Sequence, residues 1–364
     1  MQIVEFRSDT LRFIDAAPSR SPRQGFIWMF LDREELEQRL PLLQQAAQSL
    51  GGSSLLDLHC QDMGNPAHPS HYDYTSVYDL IVFRRLATPQ EMAAEPAAEK
   101  APLFRSGFQR VSTRAVSFAV FDHLLISVHP GGCFTARSFI SRYLADAVQS
   151  DGLSVAARNR LPVSPADLAL RMVNVMVDSY LELRRQLSSQ LEHWQYELLQ
   201  PRAQMSDWGS LMAARSELHA LEDLCEEQHD AMQEWLDTLR EQPPGAMPQA
   251  ERDSLIARCR DVIEHIERVV HHVRRMEQGA ETVVQIHFSA QSNRTNDIMR
   301  TLTALTAVFL PLNLIAGVFG MNFEFIPLVH RETGFWWAMG SMGLIALGLI
   351  VVFWRKQYLA RTRR

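Results

Sequence analysis

The hydrophobic pattern changes character along the chain. Up to about residue 133, short apolar runs alternate with polar turns. "FIWMFLD" from residue 26, "LLDLHC" from 55, "YDLIVFRRL" from 78 and "AVSFAVFDHLLISVHPG" from 115 each predict strand. The last is long enough for two strands about a turn at Asp122-His123. Between Thr88 and Pro102, the Ala/Glu/Pro-rich "TPQEMAAEPAAEKAP" reads as a loop. From about Pro165 to Leu199, and again from Asp207 to Glu241, apolar residues recur at helical spacing on a charged background. "PPGAMPQ" at 243–249 separates these two helices from a third pattern. That third pattern runs from Glu251 to Leu310 without proline and with Gly279 as its single internal glycine. A continuous helix of about 70 residues is on the order of 100 Å long. Such a helix cannot fold into one small globule, so it reads as a stalk.

Beyond residue 300 the pattern loses its polar face. No charge occurs from Thr301 to Phe323, and none from Thr333 to Trp354. A helix of about 20 residues spans about 30 Å, the thickness of a bilayer's hydrocarbon. A buried core helix is the competing reading, disfavoured because two such runs stand back to back around a short polar loop. Arg300 precedes the first run, and Arg355, Lys356, Arg361, Arg363 and Arg364 follow the second, while the loop carries Glu324, Arg331 and Glu332. Positive charge on both outer flanks predicts a hairpin in the cell's inner (plasma) membrane with both termini cytoplasmic. Trp336, Trp337 and Trp354 sit near the ends of the second run, where interfacial anchors belong. The organisation expected is an α+β cytoplasmic domain at 1–133 and a cytoplasmic helical region at 134–249. A stalk helix at 250–300, a first membrane helix at 301–321 and an external loop at 322–333 follow. A second membrane helix at 334–354 and a basic cytoplasmic tail at 355–364 complete the chain.

The two membrane helices differ. "FWWAMGSMGLIALGLIVVFW" is apolar all round, whereas the first carries Thr301, Thr303, Thr306 and Asn313. Steps of three or four residues collect Asn296, Met299, Thr303, Thr306, Leu310, Asn313 and Gly317 on one face. Polar groups at membrane depth face a partner or water. Packing in a dimer explains this stripe as well as a pore does, and a single hairpin cannot enclose a pore, so conduction requires several copies around an axis.

Composition narrows the partners. The chain is 46% hydrophobic and 21% charged, with mean hydropathy -0.13, an average that hides the apolar excess of the last 65 residues or so. A net charge of -6 argues against nucleic acid as a partner. Cys60, Cys133, Cys225 and Cys259 form no CxxC pair, which fits a reducing compartment. The opening "MQIVEFRSDTLRF" has no apolar core of a signal peptide. No nucleophile–base set or phosphate-binding glycine loop is present, so no enzyme activity is expected.

The residues "GVFGMNFEFIP" and, upstream, "SNRTNDIM…FLPLNLIAGVFGMN" resemble the CorA superfamily of divalent-cation channels. Its members join two C-terminal membrane helices by a Gly-Met-Asn loop. The close resemblance covers roughly residues 255–358, and "LLISVHPG" at 124–131 is similar to a family strand. The resemblance implies a CorA-like homopentameric funnel in membrane lipid, with the first membrane helix around the pore. It implies a selectivity filter at Gly320, Met321 and Asn322, with Glu324 at the external mouth. Inward from the filter it implies pore-lining Gly317, Asn313, Leu310, Thr306, Leu302, Met299 and Asn296, preferring Leu302 where simple spacing gives Thr303. Asp261 corresponds to one ligand of a regulatory intracellular Mg²⁺ site whose acidic partner has no match here. Two departures are Phe319 before the loop, which lacks a phenol hydroxyl, and Asn313, where many members have threonine.

The chemistry suits a hydrated ion. Mg²⁺ sheds water reluctantly and takes oxygen ligands, so a ring of amide oxygens can accept hydrogen bonds from its bound water. Neutral oxygens also avoid a deep trap, since conduction needs an ion to leave as well as enter. Rings of Leu310, Leu302 and Met299 could gate by dewetting. The expected function is Mg²⁺ uptake gated by intracellular Mg²⁺. One alternative is a Zn²⁺ transporter of the ZntB-like branch, with or without proton coupling, and with Co²⁺ or Ni²⁺ as further cargoes. A second is a non-conducting oligomeric sensor or scaffold. "HCQDMGNPAHPSHYDY" at 59–74 offers His59, Cys60, His68, His71 and Asp73, with His68 and His71 as weak metal candidates and a polar loop as the blander reading. The adjacent His271 and His272 read as surface residues.

Overall fold

The computed structural model describes residues 1–7, 10–22, 25–94, 111–144, 161–198, 206–243, 245, 247–321 and 332–355. By contact density the chain divides into two units, Met1–Glu281 and Thr282–Arg364.

The first unit is built on a seven-stranded sheet of β1 (Gln2–Phe6), β2 (Leu11–Ile14), β3 (Phe26–Asp32), β4 (His71–Tyr74), β5 (Asp79–Leu86), β6 (Thr113–Val120) and β7 (Leu124–His129), in the order β2-β1-β3-β7-β6-β5-β4. All neighbours are antiparallel except β3 and β7, which run parallel with Trp28 opposite Leu125 and Phe30 opposite Ser127. β3 and β7 are central and covered on both faces, which is why they read as unbroken apolar runs. The predicted turn at Asp122-His123 links β6 to β7, and Phe121 N–H donates to Leu124 O at 2.9 Å across it.

One face of the sheet, with Ile27, Met29, Leu31, Ala119 and Ile126, packs with α1 (Leu36–Ala46) and α2 (Asp57–Gly64). The other face carries Phe6 stacked on Phe26 with centroids 4.5 Å apart, and Trp28 against Phe30 at 4.6 Å. A buried polar chain runs beside them. Trp28 Nε1–H donates to Ser127 Oγ at 2.8 Å, which lies 2.8 Å from His129 Nε2. Burial, reinforced by the cations Arg85 and Arg33, lowers the His129 pKa to about 3, so the ring is neutral in the folded chain.

"LLDLHC" is not a strand. It enters α2, whose buried residues His59 and Met63 stand one helical turn apart, with Leu55 a turn before them, while Leu56 and Leu58 are exposed. The segment after Thr88 is not wholly loop, because α3 (Pro89–Ala94) opens it; residues 95–110 lie outside the described residues. Glu91 of α3 accepts from Arg85 at 2.6 and 2.8 Å.

After β7 all described elements are helical: α4 (Phe134–Tyr143), α5 (Pro165–Leu198), α6 (Ser206–Glu241), α7 (Gln249–Phe319) and α8 (Glu332–Arg355). The long α5 packs across β3, β5, β6 and β7, and α6 across β4 and β5. Tyr180 Oη on α5 and Gln228 Nε2 on α6 both donate to Arg84 O of β5, at 2.9 and 2.7 Å. Trp235 of α6 stacks near Tyr72 of β4, centroids 6.3 Å apart. These contacts fix α6 on the sheet, and buried Cys259, Val262, Ile266, Val269 and Val273 mark the face that the first half of α7 turns inward.

α7 has 71 residues and continues through Pro311 without interruption. It begins in the first unit and ends in the second, which otherwise holds α8. Both helices are long and apolar enough to cross a membrane, with mean hydropathy 2.0 over their best windows.

Candidate functional site

The second unit is notable for what one chain leaves uncovered. Among the described residues 301–321 only Ala304 is buried. Asn296, Met299, Leu302, Thr303, Thr306, Leu310, Asn313 and Gly317 are all exposed on α7. Leu302 and Thr303, between which spacing and resemblance disagreed, are both exposed, so the exposure does not separate them. Leu310 is 69% exposed, a large apolar side chain that the other described residues leave uncovered.

The threonines orient their chemistry. Thr301, Thr303 and Thr306 donate their hydroxyls to Asp297 O, Met299 O and Leu302 O at 2.8, 2.7 and 2.9 Å. With the proton spent inside the helix, each oxygen offers only lone pairs outward. Thr301, Thr303 and Thr306 are therefore acceptors at the helix surface, interspersed with apolar Met299, Leu302 and Leu310. This feature was not visible in the sequence, because a threonine hydroxyl can point either way until its helix is built.

α7 ends at Phe319. Gly320 N–H donates to Ala316 O at 2.9 Å and Met321 N–H approaches Val318 O at 3.4 Å. Gly320 is not among the glycines with positive φ, so it is not the left-handed residue of a common helix cap. A Cβ there would stand 3.0 Å from Ala316 O. Asn322 and Glu324 lie outside the described residues, as does the tail from 356 onward.

In the first unit, Asp261 lies on α7 with its side chain 58% exposed. His265, one turn on, places Nε2 at 3.8 Å from Asp261 Oδ1, and its Nδ1 lies 3.4 Å from Asp178 Oδ1 of α5. The 59–74 histidines do not converge. His59 is buried and both its nitrogens are engaged, Nδ1 with Tyr78 Oη at 2.7 Å and Nε2 with Asp73 Oδ2 at 3.0 Å. His68 Nδ1 lies 2.9 Å from Pro69 O and its ring centroid 6.0 Å from that of His71. Neither His68 nor His71 belongs to the one three-residue metal-ligating group found among the described residues. His271 is exposed as expected, but His272 is half-buried, with Nε2 2.7 Å from Ser188 Oγ; burial, with Arg184 and Arg275 nearby, lowers its pKa.

A family model described as "CorA-like Mg2+ transporter protein" matches residues 23–357. The Cobalt/magnesium transport protein CorA of Thermotoga maritima is 34% identical over 100 residues, which are 28% of this chain and 28% of that relative. The alignment thus spans less than a third of the relative's length. Among solved structures, the complete CorA magnesium transporter from Methanocaldococcus jannaschii matches with a TM-score of 0.71 at 18% identity, covering 98% of each chain. The ZntB cytoplasmic domain from Vibrio parahaemolyticus matches with a TM-score of 0.54 at 12% identity, covering 81% of this chain and 98% of that one. At such identities the likeness is one of fold: an α/β unit and a long helix in both, with two C-terminal apolar helices as well in the complete CorA.

Proposed function

The chain belongs to the CorA-like Mg2+ transporter family, and on that premise we propose that it is a passive divalent-cation channel of the inner membrane, with Mg²⁺ as its main cargo. Several copies, five by the family resemblance, stand around an axis with the mixed polar and apolar stripe of α7 facing inward. The observation that carries this reading is the contrast between the two apolar helices. α7 bears exposed Asn296, Thr306, Asn313 and Gly317 in one line, while the run 335–349 of α8 has only Ser341 as a polar side chain.

In this reading α7 and α8 cross the bilayer with both termini cytoplasmic, and the loop from residue 322 is external. The hydrated ion meets the filter at Gly320, Met321 and Asn322 after Glu324 has drawn it to the mouth. It then passes Gly317 and Asn313, whose groups exchange hydrogen bonds with its water. Leu310, Leu302 and Met299 form the apolar constriction, closed by dewetting. Asp261, with His265 beside it, is the regulatory carboxylate through which cytoplasmic Mg²⁺ holds the closed state.

Ion flux into liposomes containing the full chain tests this reading. With Mg²⁺, Zn²⁺, Co²⁺ and Ni²⁺ supplied separately, with and without a proton gradient, Mg²⁺ flux independent of the gradient is expected. Zn²⁺ flux that requires the gradient would transfer the protein to the zinc reading. Absence of flux for every ion from a well-assembled protein would favour a sensor or scaffold.

A further inference from the structure

α6 carries a constellation that the transport path does not use. Met212, Ser216 and His219 step by four and three residues along one face of that helix, with Arg215 beside Ser216 three residues after Met212 and four before His219. With Glu277 of α7 they line a cavity of about 380 Å³. One imidazole nitrogen of His219 and one carboxylate oxygen each of Glu222 and Glu277 lie within 4.8 Å of one another. First-row cations hold nitrogen and oxygen donors at about 2.0–2.2 Å, so donors on one ion stand at most about 4.4 Å apart. Rotation of the glutamate side chains closes the remainder.

The surroundings favour a site over a chance cluster of carboxylates. Arg274 of α7 donates to Glu222 Oε1 and Glu226 Oε1, each at 2.5 Å. It thereby holds one oxygen of Glu222 and leaves Oε2 toward His219, 3.9 Å from Nδ1. A partner that orients a ligating carboxylate in this way is a usual part of a metal centre. Arg215, with Nε 3.7 Å from Glu277 Oε1, is a cation that would compete for that carboxylate. The donor set of one imidazole and two carboxylates from two helices selects Zn²⁺, Co²⁺ or Ni²⁺ over Mg²⁺, which takes all-oxygen ligands.

We propose that His219, Glu222 and Glu277 bind one first-row transition cation, which ties α6 to α7 within the N-terminal unit. The site stands on its own geometry and does not depend on whether the apolar helices conduct.

Equilibrium dialysis of the full chain in lipid nanodiscs against Zn²⁺, in excess Mg²⁺, tests it. Wild type is expected to bind one equivalent per chain that His219→Gln and Glu277→Gln lose or hold at least about tenfold more weakly, as for removal of a ligand or its support. His219 is exposed, so its replacement leaves the fold in place, and liposome flux by that variant reports separately on the transport reading. Arg215→Gln removes the competing cation and is expected to tighten binding. With Co²⁺, X-ray absorption should show a nitrogen ligand in wild type that His219→Gln lacks. Unchanged Zn²⁺ stoichiometry and affinity in His219→Gln, an unchanged nitrogen signal, or weaker binding by Arg215→Gln would overturn the assignment.

Discussion

Thr306 gives its proton to Leu302 O and keeps its lone pairs for whatever faces it. An ion dressed in water presents hydrogens, so a hydroxyl held this way can only accept. The same need favours an amide at the proposed filter, where a carboxylate would bind too tightly to release the ion. Asn322→Ala is therefore expected to abolish divalent-cation flux while leaving assembly unchanged by native mass measurement; normal flux in the assembled variant would remove Asn322 from the filter. A second residue-scale prediction concerns Asp79, at the start of β5. Burial, with Asp122 adding to it, raises the Asp79 pKa to about 6 against the opposing influence of the nearby Tyr72 hydroxyl. A carboxyl raised in the folded state favours the protonated form there. Its contribution is fully present below the unfolded-state pKa of about 4 and is lost as pH rises through about 6. Asp79→Asn should then stabilise the protein by on the order of 1 kcal/mol at pH 8, with no gain at pH 4. Chemical denaturation at the two pH values checks the sign.

At the scale of elements, α7 carries the proposed pore-lining stripe over several turns, and its constriction must be apolar to exclude water. Replacing Leu310 or Met299 by serine lets a ring of several copies hold water, so flux at a given gradient should rise several-fold. Unchanged or lower flux from an assembled protein would move the gate elsewhere. The sequence defines this face by spacing alone, because a long helix repeats its period many times, while its place at a pore is the proposal. α5, α6 and the full run of α7 were legible for the same reason. "LLDLHC" was not, because six residues with three leucines fit a period of two as readily as one of 3.6. Only the tertiary burial of Leu55, His59 and Met63 decides between them. β1, β2 and β4 are short edge or near-edge strands whose apolar residues are too few to announce themselves. Asp261 is proposed from the resemblance alone; His265 lies one turn along from it, and Asp178, which meets His265, comes from another helix. His219 and Glu277 likewise meet only because α6 lies against α7. Proximity of that kind has no trace in a one-dimensional pattern.

For the whole molecule, the decisive quantity is the apolar and polar surface that one chain leaves open. Leu310, Leu314, Trp336, Trp337, Leu344 and Leu347 are each more than two-thirds exposed or close to it. Lipid can cover the side chains of α8, whose central run has almost no polar group. It cannot cover Asn313 without leaving an amide unpaired in hydrocarbon, at a cost of order 1 kcal/mol or more. A dimer would bury that amide but would leave no axial path for an ion. A ring wide enough for a hydrated cation buries the flanks of α7 against its neighbours and turns Asn313 to water. We therefore expect a closed homo-oligomer, five copies in the family's arrangement, in mild detergent and in nanodiscs. Cysteines introduced at Thr306 or Asn313 should cross-link between copies and should react with a water-soluble thiol reagent only when the channel is open. A monomer or dimer in native mass measurements, or cysteines at Thr306 and Asn313 that stay inert to the reagent in a conducting protein, would show that α7 does not face the axis.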